Sequence, residues 1–413
     1  MATNSMELLD WLRKQLESAD VDLLRAMLEE FAEKLMGAEA NLLCGAEYGE
    51  RDTGRVNSRN GYRGRRWDTR LGTIDLQIPK LRRDSYYPAW LLQPWRRAEE
   101  AMIQVIAESY LLGVSTRRMN KLVQALGLEG ISKSQVSKMA KELDEQVETF
   151  RTRSLDEGPY TYVWLDAHSQ RVRERGRVVN VAVVLAISVN ADGRREILGC
   201  DILTEETEVA WTAFLRGLVD RGLTGVQLVI SDAHKGLKNA IAMVLTGTGW
   251  QRCRTHFMQN LLSRIPKAAQ GDVGNLVRSI FAQPSARTVR EQHGRVVEEL
   301  EESFPQAAEL LEDSGPEILA FADFPKEHWN KIWSNNPLER LNREVRRRTN
   351  VVGIFPGRES SIRLIGALLA EQHDEWIAGK RYMSVESLAK ARLTVVSGQK
   401  EGSEREQLAT VAG

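Results

Sequence analysis

Apolar residues recur at helical spacing through residues 6–42. Leu8, Leu9 and Leu12 mark a first helical stretch, and LLRAMLEEFAEKLM follows Asp20 and Asp22, which are suited to cap it. The period then shortens to two: Ile74, Leu76 and Ile78 alternate with Thr73, Asp75 and Gln77 in a stretch rich in Gly, Asn and Arg. This predicts a small β element with basic loops, interleaved with Tyr62, Trp67, Tyr86 and Tyr87. Helical spacing returns over residues 98–150. Ser115 and Thr116 can cap a helix through Leu126, the loop GLEGI follows, and Ser132 can cap the next helix, KSQVSKMAKELDEQV. Two helices about a tight Gly-containing turn match the helix-turn-helix outline, with Lys133, Gln135 and Lys138 at the start of the second. Many helical hairpins share that outline without touching DNA.

After Asp156-Glu157-Gly158-Pro159 the pattern becomes strand-like: YTYVWLDA, RVVNVAVVLAISV and REILGCDI in turn. A helix fits EVAWTAFLRGLVDRG, then a buried strand VQLVISD, a helix KGLKNAIAMVL, a short strand WQRCR, and a long helical tract to about Lys331. A last helix starts at NNPLERLNREVRRR. The order β-β-β-α-β-α-β and then helix suits an α/β fold of ribonuclease H-like type with an all-α insertion. The expected divisions are a helical segment at 1–50, a basic β/loop segment at 51–97, a helix-turn-helix domain at 98–155, a core built from 156–257 and 332–385, the insertion at 258–331, and a flexible tail at 386–413.

The 57 Lys and Arg residues balance 57 Asp and Glu over 413 residues, so net charge alone argues against a polyanionic partner. The distribution changes that picture. Ten basic residues face three acidic ones between Arg51 and Arg83, among them Arg59, Arg63, Arg65 and Arg66, the candidate phosphate contacts. The longest apolar run, Val178–Val189, is interrupted by Asn180 and is too short for a bilayer; no leader pattern opens the chain, so a cytoplasmic location is expected. Cys44, Cys200 and Cys253 are too scattered for a disulfide framework or a four-ligand zinc site.

The strongest chemical constellation is three carboxylates. Asp166 and Asp232 each end an apolar strand, where α/β sheets form their ligand crevices, and hard oxygen ligands there suit Mg²⁺ or Mn²⁺. Glu339 is the third, with a competing role: if Asn336 is the N-cap and Pro337 is N1, Glu339 falls at the capping-box position. Glu344 is a weaker candidate because it can pair with Arg340 and Arg348 one turn away. Arg340, Arg343, Arg346, Arg347 and Arg348 crowd the same helix, as a phosphate-gripping face or as a solvated one. Cys253 and His256 form a single Cys-x-x-His pair, and His234, two residues after Asp232, can support that carboxylate; His168, His293, His328 and His373 read as surface or packing residues. No P-loop, GxGxxG, GxSxG or HExxH is present, which removes support for a nucleotide cofactor or a hydrolase triad.

SRNGYRGR, LGTIDLQIPKLR, LLGVSTRRM, SKSQVSKMAKELDE, ISDAHKGLKNAI, WQRCRTHFMQN and NNPLERLNREVRRRTNVVGIFP together resemble the Mutator-type bacterial transposases of the insertion-sequence-256 group, from about residue 36 to 383. The resemblance implies a DDE transposase with a ribonuclease H-like core interrupted by helices. It implies Asp166, Asp232 and Glu339 as the catalytic and metal-holding triad, with Cys253 and His256 as the family's Cys-x-x-His element. It further implies two Mg²⁺ (or Mn²⁺) ions per site, double-stranded DNA as substrate at the element's terminal inverted repeats and at the target, a homodimer or larger homo-oligomer, no membrane, and a bacterial, nucleoid-associated location. Two readings compete: a nuclease that cuts without joining, and a DNA-binding repressor with a silent core.

Overall fold

The computed structural model describes residues 21–50, 54–69, 72–83, 86, 88, 96–111 and 132–393. The chain divides into two compact units, residues 1–96 with 378–380, and residues 97–377 with 381–413.

In the first unit, helix α1 (Val21–Cys44) lies on an antiparallel hairpin of β1 (Arg59–Thr69) and β2 (Gly72–Leu81). The period-two apolar set of β2 decides the packing: Ile74, Leu76, Ile78 and Leu81 are buried with Ala32, Met36, Ala40 and Cys44 of α1. Arg59 closes the joint, donating from Nη2 to the Gly37 carbonyl (2.5 Å) and to Asn41 Oδ1 (2.6 Å). Arg63 reaches the Tyr86 carbonyl at 3.4 Å. Two of the four arginines singled out as phosphate contacts are therefore bonded inside their own unit.

The second unit opens with α2 (Arg96–Leu111); the expected first helix of the helix-turn-helix and its GLEGI loop lie outside the described residues. Helix α3 (Lys133–Thr152) starts where the sequence places it, with Ser132 and Gln135 forming a reciprocal capping box, so Gln135 is engaged as a cap. It runs five residues beyond the expected Val147, where Arg151 donates to the Cys200 carbonyl (3.2 Å) and to Asp201 Oδ1 (2.9 Å). Arg363, 4% exposed along its side chain, donates to both Asp144 oxygens (2.7 and 2.8 Å), to Glu108 (3.1 Å) and to Gln104 (2.8 Å).

A five-stranded sheet follows: β3 (Tyr162–Glu174), β4 (Arg177–Val189), β5 (Arg195–Leu203), β6 (Leu228–Ser231) and β7 (Gly249–Arg252), in the order β5-β4-β3-β6-β7. The first three form an antiparallel meander, and β6 and β7 run parallel to β3. Alternate side chains face two cores. Val163, Leu165, Val184 and Val229 meet Trp211 and Leu215 of α4 (Glu208–Asp220) and Ile241 of α5 (Lys235–Val244). Tyr162, Trp164, Leu185 and Ile230 meet the helical tract. That tract contains α6 (Arg254–Leu262), α7 (Gln270–Phe281), α8 (Ala286–Glu301), α9 (Pro305–Asp313) and short turns over 315–332. Helices α10 (Asn336–Val352) and α11 (Arg358–Ala378) complete the unit.

The strand expected to end at Ala167 continues to Glu174. Beyond Ala167 its inward positions are His168, Gln170 and Val172, all buried, and its outward ones are Ser169 and Arg171, so polarity on both faces conceals the alternation. Arg175 and Gly176 turn the chain into β4 with φ of 47° and 80°, a pair of left-handed residues that matches a two-residue hairpin. After α10, Phe355 attaches to the far end of β3, its N–H on the Arg171 carbonyl (3.0 Å) and its carbonyl accepting from Arg173 N–H (2.9 Å).

Candidate active site

The β3/β6 register brings two of the three carboxylates together. Tyr162, Val163 and Trp164 pair with Leu228, Val229 and Ile230; two further steps set Asp166 opposite Asp232, just past the end of β6. Helix α10 supplies the third. Asn335, fully buried, donates from Nδ2 to the Leu165 carbonyl (2.9 Å) and from its backbone N–H to Cys253 Sγ (3.3 Å). One turn and then two turns on, Glu339 and Asn342 lie on the same stripe. Asn342 Nδ2 donates to Asp166 Oδ2.

Asp166, Asp232 and Glu339 consequently line one cleft of about 640 Å³, together with His256, Asn342, Arg343, Arg346 and Arg347. The capping expectation for Glu339 fails: the N-cap is Asn335, Asn336 is the first helical residue, and no side-chain cap bond forms. Glu339 sits a position too deep to reach back, and its Oε1 is buried without a hydrogen-bond partner.

Burial pushes the Asp166 carboxyl up to about 7, and the Asp232 charge beside it adds to the rise; the Ala167 N–H, His256 and Arg346 oppose it. His256 Nδ1 meets Asp232 Oδ1, and bonds to Asp232 and then to Cys253 push the imidazole up to about 11. The ligating atoms of Asp232, Cys253 and His256 lie within 4.8 Å of one another. His234 lies beside the site, in an adjoining pocket of about 410 Å³ that it lines with Asp166, Asp232, Arg252 and His256, and serves the fold as well. Its Nδ1 accepts from Leu237 N–H (3.3 Å) and caps α5.

The sequence profile described as Transposase, Mutator family, matches residues 2–379. The chain belongs to the Mutator family of transposases. It is similar to the transposase for insertion sequence element IS1081 of Mycobacterium tuberculosis, 55% identical over 394 residues and 95% of each chain. It is 40% identical to the transposase for IS406 of Burkholderia multivorans, over 88% of this chain and 92% of that one. The transposase for IS256 in transposon Tn4001 of Staphylococcus aureus is 36% identical over 87% of this chain and 92% of its own.

Of the arginines on α10 of this transposase, Arg343, Arg346 and Arg347 line the cleft. Arg348 turns to Glu344 (2.7 Å), the i,i+4 pairing that sets Glu344 apart from the other carboxylates. Lys133, Gln135 and Lys138 lie on exposed first turns of α3 and outside that cleft. His168 and His328 are buried; both nitrogens of His328 are bonded, to Tyr162 Oη and Ser387 Oγ (2.7 Å each). Sequence reasoning missed Asn335 and Asn342. The available signal was spacing: 335, 339, 342 and 346 form a polar stripe at i, i+4, i+7 and i+11 on a helix whose other positions include Leu338, Leu341 and Val345.

Proposed function

We propose that this chain is a DDE transposase whose ribonuclease H-like core nicks the ends of its insertion sequence and joins them to target DNA. The observation that carries this reading is the convergence of Asp166, Asp232 and Glu339 on a single arginine-edged cleft, Asp166 from within β3 rather than at the strand end expected of it, Asp232 from just past β6 and Glu339 from α10. A meander followed by two parallel strands, interrupted by helices before the last carboxylate, supports the fold assignment.

The donor set fits a hard divalent cation. The Asp232 charge raises the cost of ionising Asp166 beside it, and Glu339 Oε1 is buried without a partner; both features are relieved by Mg²⁺ or Mn²⁺. Asp166, Asp232 and Glu339 would hold two such ions, which supply Lewis acidity at the phosphodiester. Asn342 fixes the rotamer of Asp166, while Asn335 pins the start of α10 to β3 at Leu165. Arg343, Arg346 and Arg347 bind the phosphate backbone and oppose charge developing on the phosphorus oxygens. Water attacks first, and the freed 3′-hydroxyl then attacks a second phosphodiester in line, with neither ATP nor a covalent enzyme intermediate.

Terminal inverted repeats bind through the basic hairpin and the first turns of α3, and the working form is a homodimer or larger assembly. Among the described residues no helix is long and apolar enough to cross a membrane, and a nucleoid-associated, cytoplasmic location suits the substrate. The test is cleavage of DNA carrying the element's own ends, with Mg²⁺, Mn²⁺ or EDTA, beside Asp166→Ala. Metal-dependent nicking at the repeat boundary, absent in the variant and followed by joining to a second duplex, is expected. Hydrolysis without joining would leave a nuclease, and specific binding without cleavage would leave a repressor.

A further inference from the structure

Helix α1 has two apolar faces, and the described residues of its own unit cover only one. Ala32, Met36, Ala40 and Cys44 pack against β2. On the other side Phe31, Leu35, Ala38 and Leu42 are exposed, Phe31 at 61% and Leu42 at 82%. At 100° per residue the centres of the two faces lie roughly 140° apart, so the hairpin leaves the second face open. The exposed four are spaced by four, three and four residues, and in the sequence that alternation continues backwards to Leu28, Leu24 and Val21. Three heptads of such spacing form a coiled-coil seam, which a helix packed by its opposite face does not need for its own fold.

We propose that α1 pairs with α1 of a second copy of this chain as a short parallel coiled coil, with Leu35 and Leu42 at a and Phe31 and Ala38 at d. Charge at the seam's margins selects a copy of itself in that orientation. In a parallel pair each g position faces the partner's e position five residues on. Lys34 at g then faces a Glu39, of opposite sign. An antiparallel pair that layers a on d about the same centre would set Lys34 against Lys34. Glu39 is already held in place by Tyr86 Oη (2.6 Å), and Lys34, 2.7 Å from Glu30 on the exposed surface, can swing to it. The seam is independent of the catalytic reading, because association is read without DNA or metal.

The experiment uses the full chain. Leu35→Cys places a cysteine at an a position that meets itself across a parallel seam, whereas Glu30→Cys lies well outside it. Under mild oxidation Leu35→Cys is expected to give a disulfide-linked dimer rapidly, while Glu30→Cys and the native chain, whose cysteines are buried, do not. Leu35→Glu combined with Leu42→Glu is expected to move the sedimenting species from dimer to monomer with the helical circular dichroism retained. Equal crosslinking of Leu35→Cys and Glu30→Cys, or a charged variant that sediments with the native chain, would overturn the seam. So would a disulfide within one chain between Leu35→Cys and a cysteine introduced in residues 1–20, since the chain's own N-terminal segment would then fill the face.

Discussion

Asp166 is buried next to Asp232, and without a cation the two charges raise the free energy of the folded state. A shift to about 7 from an ordinary value near 3.8 corresponds to a few kcal/mol at most, at 1.36 kcal/mol per unit. Asp166→Asn keeps the oxygen that accepts from Asn342 and removes the charge. We expect it to stabilise the protein by about 1–2 kcal/mol in EDTA, seen as a higher unfolding midpoint, while abolishing cleavage. Added Mg²⁺ should raise the midpoint of the native protein and leave that of the variant nearly unchanged. His328 makes the opposite kind of contribution. Burial holds its imidazole down at about 4 against an ordinary 6.5, with Glu327 and Lys331 as the charges nearby. The unfolded chain therefore takes up the proton first, so stability is full above pH 6.5 and falls as the pH drops towards 4. His328→Gln should flatten that fall by about 2 kcal/mol in urea titrations across the range. An unchanged slope would remove His328 as its source. His168, also held down at about 4 by burial and Arg346, acts in the same direction, so the dependence shrinks without vanishing.

Helix α10 is the element on which the site depends, and its sequence is readable except for one step of register. Asn335 and Asn336 are equally good caps by residue type, and nothing local distinguishes them. The choice is made by a distant acceptor, the Leu165 carbonyl, which draws the Asn335 side chain into the interior and carries Glu339 past capping reach. The same limit applies elsewhere. Strand β4 is legible because Val181–Ile187 is an unbroken apolar run, whereas the outer half of β3 is hidden by His168, Ser169, Gln170 and Arg171. The start of α3 is legible from Ser132 and Gln135, but its last turn is held by Arg151 bonding to the Cys200 carbonyl and to Asp201, some fifty residues away. Asn335→Ala tests the reading of α10. It leaves the Leu165 carbonyl buried and unpaired and should cost about 1–3 kcal/mol, measured by denaturant unfolding. Cleavage should fall further than that stability loss explains, because the helix bearing Glu339 is no longer pinned. Activity that merely tracks stability would mean Glu339 is positioned by other contacts.

At the scale of the whole molecule, equal numbers of acidic and basic residues say little about what the surface meets, since the charges are sorted by position. The arginine-rich stretches divide into two kinds once their contacts are known. Arg59, prominent in the densest basic segment, donates to Gly37 and Asn41 and joins the hairpin to α1. Arg343 and Arg346, on a helix where glutamates offset part of the charge, line the cleft that holds the carboxylates. Sequence density therefore ranks these residues in the opposite order to their availability for phosphate. The two classes should separate in the salt dependence of binding to an element end. Each lost phosphate contact lowers the slope of log affinity against log salt by about 0.9. Arg343→Ala with Arg346→Ala should weaken binding and flatten that slope by about two. Arg59→Ala should instead lower the unfolding midpoint and leave the slope of the folded protein close to the native value. A slope that ignores Arg343 and Arg346 would leave the hairpin and α3 as the whole DNA path, and would count against the carboxylates as the centre that acts on the bound strand.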